Sequence, residues 1–180
     1  PPLLSRFTEQ YPQVQVDLVE ATTSQLTDRL FSGSLDLLID NKNMDPAVYQ
    51  KSFFCEEHLL LAVPIRLAVN EKMKNYALTA SDIRENRHLN SRIPPVPLEN
   101  FQNESFLLLK SGNDTRSRAD RICHNAHVLP KIKLELDQQI TAYNLSRYGM
   151  GISFCYDTLV RHVPDDEGLV YYKLDNKDAL

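Results

Sequence analysis

Three polar turns each follow an apolar run, and these are the places where this chain could recognise a ligand. They read Glu20-Ala-Thr-Thr-Ser24, Lys110-Ser-Gly-Asn-Asp-Thr-Arg116 and Leu136-Asp-Gln-Gln139. Each sets hydroxyl, amide or charged side chains at the start of an expected helix. Backbone N–H groups there have no intrahelical partner, and the helix dipole favours an anionic group. The candidate ligand contacts are therefore Thr22, Thr23, Ser111, Asn113, Thr115, Arg116, Asp137 and Gln138, with Asn41 as a further polar wall after the run Leu35–Ile39. Asp114 and Asp137 argue against a strongly anionic pocket. They suit a ligand that also carries donors, such as an amino acid or a hydroxylated acid. A plainer reading stands beside this one. The Ser, Thr and Asp residues can be helix caps, Ser111-Gly112-Asn113 a simple turn, and Arg116 and Arg118 solvated surface charges.

Other chemistry finds less support. Cys123-His124-Asn-Ala-His127 places three candidate metal ligands within five residues. Tetrahedral zinc needs about four, and no second cluster supplies the rest. No metal and no cofactor are expected. Gly-x-Ser-x-Gly, Walker and Gly-x-Gly-x-x-Gly patterns are absent. His58, His88 and His162 have no adjacent nucleophile, so no catalytic set can be assembled and an enzyme is not expected. The net charge of −4 makes the chain a poor direct ligand for a phosphate backbone. Cys55, Cys123 and Cys155 are odd in number and far apart. Without a signal peptide at Pro1–Phe7 they read as reduced thiols, and the expected location is the cytoplasm. A hydrophobic share of 42% allows a sizeable core, and no apolar run approaches the roughly 18 residues of a membrane span.

The elements that must position these turns are written twice. Val14, Val16 and Leu18 alternate with polar residues as a half-buried strand, a capped helix runs to Ser32-Gly33, and Leu35–Ile39 is short and apolar, a buried parallel strand. Pro130-Lys-Ile-Lys-Leu-Glu-Leu136, a helix to Tyr148-Gly149, and Gly151–Phe154 repeat the scheme. Residues 49–55 and 58–63 predict further strands. Ser81 is a plausible cap for a helix from there. Pro94, Pro95 and Pro97 impose a loop. Phe106–Leu109, a helix from Thr115 to His127, a helix starting at Asp157 and a strand Leu169–Leu174 complete the set. Strands alternating with helices predict a mostly parallel sheet in each of two α/β lobes.

The spacing Phe7-x3-Tyr11-Pro12-x-Val14-x-Val16-x-Leu18-x-Glu20, followed by Leu26-x3-Leu30-x2-Gly33-x-Leu35-Asp36-Leu37-x-Ile39, resembles the effector-binding domain of LysR-type transcriptional regulators. Leu60-Leu-Ala-Val-Pro64, Phe106 to Arg116 and Tyr148-Gly-Met-Gly-Ile-Ser153 match in the same order. The resemblance covers essentially the whole chain. It implies an α/β fold of two Rossmann-like subdomains joined by a two-strand hinge, type-2 periplasmic-binding-protein-like. Residues 1–63 plus 157–180 would form one subdomain, without its usual first strand and loop, and 64–156 the other. It further implies a small-molecule effector between the subdomains, a carboxylate, amino acid or similar, contacted by Thr22, Thr23, Asn41, the Ser111–Arg116 stretch and Asp137-Gln138. It implies a homodimer or tetramer, with the helix Thr22–Ser32 as the expected interface. DNA would be bound by a separate N-terminal winged helix-turn-helix that these residues do not include. The rival reading is a transport system's solute-binding protein with the same fold.

Overall fold

A computed structural model describes residues 2–41, 44–164 and 167–174. The chain divides into two compact units, Pro1–Lys42 and Asn43–Leu180.

The first unit holds helices α1 (Pro2–Gln10) and α2 (Thr23–Phe31). Thr22 and Gln25 open α2 with a reciprocal capping box. The Thr22 hydroxyl accepts from the Gln25 amide, and the Gln25 side chain accepts from the Thr22 N–H. This satisfies donors that the first turn would otherwise leave orphaned. Gly33, at a φ of +74°, turns the chain out of the helix. The strands expected over 14–20 and 35–39 do not form, and no ladder among the described residues includes them. Leu18 and Leu37 remain 81% and 71% exposed. Residues 49–55, in the second unit, are likewise outside any strand, with Phe53 and Phe54 exposed. An alternating or apolar run has strand potential, but only a neighbouring ladder and a covering layer convert it into a strand.

The second unit is built on one six-stranded sheet. Its strands are β1 (Leu59–Pro64), β2 (Ala77–Leu78), β3 (Ser105–Leu109), β4 (Lys131–Leu136), β5 (Ile152–Tyr156) and β6 (Leu169–Lys173), in the order β2-β6-β1-β5-β3-β4. The helices are α3 (Val69–Lys72), α4 (Ala80–Arg84), α5 (Asp114–Asn125), α6 (Gln139–Arg147) and α7 (Asp157–His162). β3 is parallel to both β4 and β5. The second copy of the repeat, β4-α6-β5, therefore straddles β3. β1 is antiparallel to β5 and β6, and β2 to β6, so the sheet is mixed rather than mostly parallel. The cause is that β1 runs against the strands that α5, α6 and α7 connect.

β1 is central and buried at all six positions. Leu59, Leu61 and Val63 join a core with Phe106, Phe154 and Tyr172, while Leu60 and Ala62 join another with Ile83, Tyr143 and Tyr171. The two-residue period of a strand sends alternate side chains to opposite faces, so a run covered on both faces reads as uninterrupted apolar sequence. Gly151 lies so near β3 that a Cβ there would sit 2.7 Å from the Ser105 carbonyl oxygen.

Some elements depart from expectation. α4 is capped by Thr79, not Ser81. The Thr79 hydroxyl accepts from the Asp82 amide at 3.1 Å, and the Asp82 carboxylate accepts from the Thr79 N–H at 2.8 Å. Ser81 falls inside the first turn. α5 ends at Asn125, and His127 takes a φ of +54° beyond it. β6, in the segment 157–180, pairs with β1 from Leu60↔Lys173 to Pro64↔Leu169. Residues 175–180 of that segment lie outside the described residues.

Candidate functional site

The parallel strands β3, β4 and β5 all end on the same side of the sheet, and antiparallel β1 begins there, with Leu59 opposite Tyr156. Ligands of open α/β sheets gather beyond such strand ends. The polar residues on this edge are Lys110–Asn113, Asp137-Gln138, Tyr156-Asp157 and Glu57-His58. Ser111 is exposed, and Gly112 adopts a φ of +91° to complete the turn. Asn113 caps α5, its side-chain oxygen accepting from the Thr115 amide at 2.9 Å. Thr115 is buried in the first turn. The backbone of Lys110 donates to the Leu136 carbonyl at 2.9 Å, and its ammonium pairs with Asp137 at 2.9 Å. The two turns are thus tied together. Gln138 precedes α6 and is exposed.

Arg116 is not a solvated charge. Its guanidinium donates to the Leu109 carbonyl at 2.7 Å, to Glu135 at 2.6 Å and to Asp120 at 2.8 Å. The hydrogen bond to Glu135 is the main reason its pKa is raised. It anchors the end of β3 to β4 and α5. Arg118 pairs with Asp114 at 2.8 Å, which neutralises the carboxylate nearest the turn.

In the first unit, the Thr22 hydroxyl serves as the cap. Thr23 donates to Asp40 at 2.9 Å, which draws the start of α2 to the segment carrying exposed Asn41. Thr22, Thr23 and Asn41 are therefore grouped within their unit. Ser111, Asn113, Thr115, Asp137 and Gln138 are grouped within theirs.

Two features escaped the sequence reading. Tyr156 closes β5 with its hydroxyl buried beside Thr115, and that hydroxyl makes no hydrogen bond of good geometry among the described residues. Burial pushes its phenol pKa up. The signal was its position as the last residue of a buried strand on the ligand-bearing side. The second feature is Asp157, whose carboxylate is buried and accepts four hydrogen bonds. His88 Nε2 lies 2.9 Å away, the His58 and Thr158 amides 3.0 and 2.9 Å, and Arg161 2.9 Å. Burial alone would raise its pKa, but these donors hold the carboxyl well below the usual range. Thr158 also donates to Glu57. The only sequence hint was an acidic residue opening a helix with arginine four residues on. By contrast, Cys123, His124 and His127 do not form a ligand group among the described residues. Cys123 is buried, and burial raises its thiol to about 12.

A family model for the LysR substrate binding domain matches residues 1–179. The chain belongs to this family. Its relatives include the uncharacterized HTH-type transcriptional regulator YcgK of Bacillus subtilis (strain 168), 26% identical over 98% of this chain and 53% of that protein. The HTH-type transcriptional regulator cbl of Klebsiella aerogenes is 24% identical over 84% of this chain and 42% of that protein. The chain spans about half the length of the curated relatives it matches. Among solved structures, the Synechocystis PCC6803 CcmR regulatory domain in complex with 2-PG aligns with a TM-score of 0.69 at 18% identity, over 97% of this chain and 74% of that one. The BenM effector binding domain with its effector benzoate aligns with a TM-score of 0.59 at 22% identity, over 99% and 72%. The fold is that of LysR effector-binding domains, the type-2 periplasmic-binding-like fold.

Proposed function

We propose that this chain is the effector-sensing domain of a cytoplasmic LysR-type transcription regulator and not an enzyme. Its effector is a small carboxylate, amino acid or hydroxylated acid. The observation that carries this reading is the polar strand-end edge of the second unit, where the Ser111–Asn113 turn, Thr115 and the buried Tyr156 hydroxyl lie at the first turn of α5. Amide N–H groups there favour a carboxylate, while hydroxyl and amide side chains suit its further polar groups. The BenM relative is described with benzoate, itself a carboxylate. Asn113 and Thr115 are the favoured contacts. Ser111, Asp137 and Gln138 border them; Thr22, Thr23 and Asn41 are candidate polar contacts within their own unit. Arg116 acts by positioning the edge. Effector binding shifts a conformational equilibrium only through differential affinity for its states. The shift then reaches DNA binding through a separate domain and the oligomer.

A panel of carboxylates, amino acids and hydroxy acids, tested by thermal unfolding of the protein, checks this. Stabilisation by one class, lost in Thr115→Val and in Tyr156→Phe, is expected. If no member of the panel stabilises the protein at millimolar concentration, the effector class is wrong. Self-association through α2 fits Phe31, which is 78% exposed at its end. Phe31→Glu should shift sedimentation towards the monomer, and an unchanged profile removes α2 from the interface.

A further inference from the structure

We propose that His58, His88 and Asp157 form a binding site for a first-row divalent transition-metal ion, of which zinc is the reference case. The three residues come from places remote in sequence: the segment entering β1, a 3₁₀ turn at Arg87–Leu89, and the first residue of α7. One ligand atom from each lies within 4.8 Å of the others. Asp157 Oδ2 is 2.9 Å from His88 Nε2 and 3.5 Å from His58 Nδ1. Zinc bonds of about 2.0–2.2 Å to nitrogen and oxygen place tetrahedral ligand atoms on the order of 3.3 Å apart. The two Asp157 separations straddle that value and the third pair lies within 4.8 Å, so side-chain shifts that bring the imidazoles together seat an ion.

The donor set selects the ion. Two imidazoles with one carboxylate suit zinc, cobalt, nickel or iron, whereas magnesium and calcium prefer an all-oxygen shell. The side chains of His88 and Asp157 are 1% exposed, and that of His58 is 22% exposed, so one ligand faces the route of entry. Three protein ligands leave a coordination position for water or another small oxygen donor. The buried Nδ1 atoms of His58 and His88 both lack a hydrogen-bond partner among the described residues. Coordination would satisfy the first of these directly. Glu56, 4.0 Å from His58 Nε2, stands on the far side of that ring, as the outer partner of a ligating histidine commonly does.

Arg161 supplies the discriminating test. Its guanidinium shares Oδ2 at 2.9 Å and opposes a cation by charge. In a purely structural cluster, removing Arg161 only weakens the network. At a metal site, it also tightens the ion.

The experiment titrates the protein with Co²⁺ alone and follows visible d–d absorption, then displaces Co²⁺ with Zn²⁺. One equivalent with an intense, low-symmetry spectrum is expected. His58→Gln, at the rim, should weaken binding by at least about 100-fold, and Arg161→Gln should tighten it by about tenfold. His124→Gln and His127→Gln should change nothing. Circular dichroism confirms that each variant is folded. Should His58→Gln fail to fold, the Arg161→Gln titration still decides. Absent cobalt binding, binding unmoved by His58→Gln, or unchanged affinity in Arg161→Gln each overturns the proposal.

Discussion

Burial sets the behaviour of individual side chains here more than residue type does. The three cysteines have the same chemistry in the sequence, yet Cys55 is exposed while Cys123 and Cys155 are buried. A thiol reagent should therefore modify one cysteine quickly in the native protein and the other two only on unfolding, as mass spectrometry of the labelled peptides would show. Early labelling of Cys123 would contradict its burial. Its raised pKa also has a consequence for stability. In the unfolded chain a thiol ionises near pH 8.5, whereas in the fold Cys123 stays protonated to about 12. The contribution is fully present below the unfolded value and is lost as pH rises towards 12, by up to about 1.4 kcal/mol per pH unit for one such group. Urea unfolding at pH 8 and pH 10 should show the loss, and Cys123→Ala should reduce the slope between them.

At the scale of elements, the strand-end edge depends on Arg116 and the entry to α4 depends on Thr79. Arg116 ties β3, β4 and α5 through three acceptors from a side chain only 12% exposed. Arg116→Ala should cost about 1–2 kcal/mol by urea unfolding, because it strands the Leu109 carbonyl and removes two ion pairs to half-exposed carboxylates. Arg116→Lys should recover less than half of this, since an ammonium lacks the planar fork. A loss below 0.5 kcal/mol, on the order expected for a surface site, would mean the clamp is not holding the edge. Thr79→Ala removes half of the capping box and should cost about 1 kcal/mol. Asp82, the other half, has its pKa lowered. Burial works against this shift, and the Thr79 N–H and Arg87 outweigh it. Its contribution is present above the unfolded value of about 4 and fades as pH falls below it. Acid titration of wild type against Asp82→Asn measures that fading, and parallel curves would show that the box does not depend on the charge.

Across the molecule, the sheet of the second unit is what assembles the edge. It brings residues 57–58, 110–115, 137–138 and 156–158 together although 101 positions separate the first from the last. One of its short seams is the β3–β5 ladder, Phe106↔Ile152 and Leu107↔Ser153, with Gly151 beside it. Gly151→Ala would press a methyl group against the Ser105 carbonyl, backbone that cannot step aside. The variant should lose about 1–3 kcal/mol and show increased hydrogen exchange in β3 and β5. Wild-type exchange in both strands would mean the β3–β5 seam accommodates the methyl group.

Local chemistry was legible from residue order. A cap among Thr22–Ser24, the Gly33 and Gly112 turns, β1, β3, β4 and β5, and the family spacing all rest on contacts within a few residues or on a two-residue period, which can be counted along the chain. The Ser111–Thr115 turn and Asp137 were found for the same reason: each follows its own strand directly. The runs at 14–20 and 35–39 carried strand patterns just as clear, yet formed no ladder, because pairing needs a neighbour that a pattern does not supply. Strand direction, the place of β6 beside β1, and the grouping of His58, His88, Tyr156 and Asp157 were invisible to it. Those depend on hydrogen bonds and packing between segments far apart along the chain, and such contacts exist only once the sheet has closed around them.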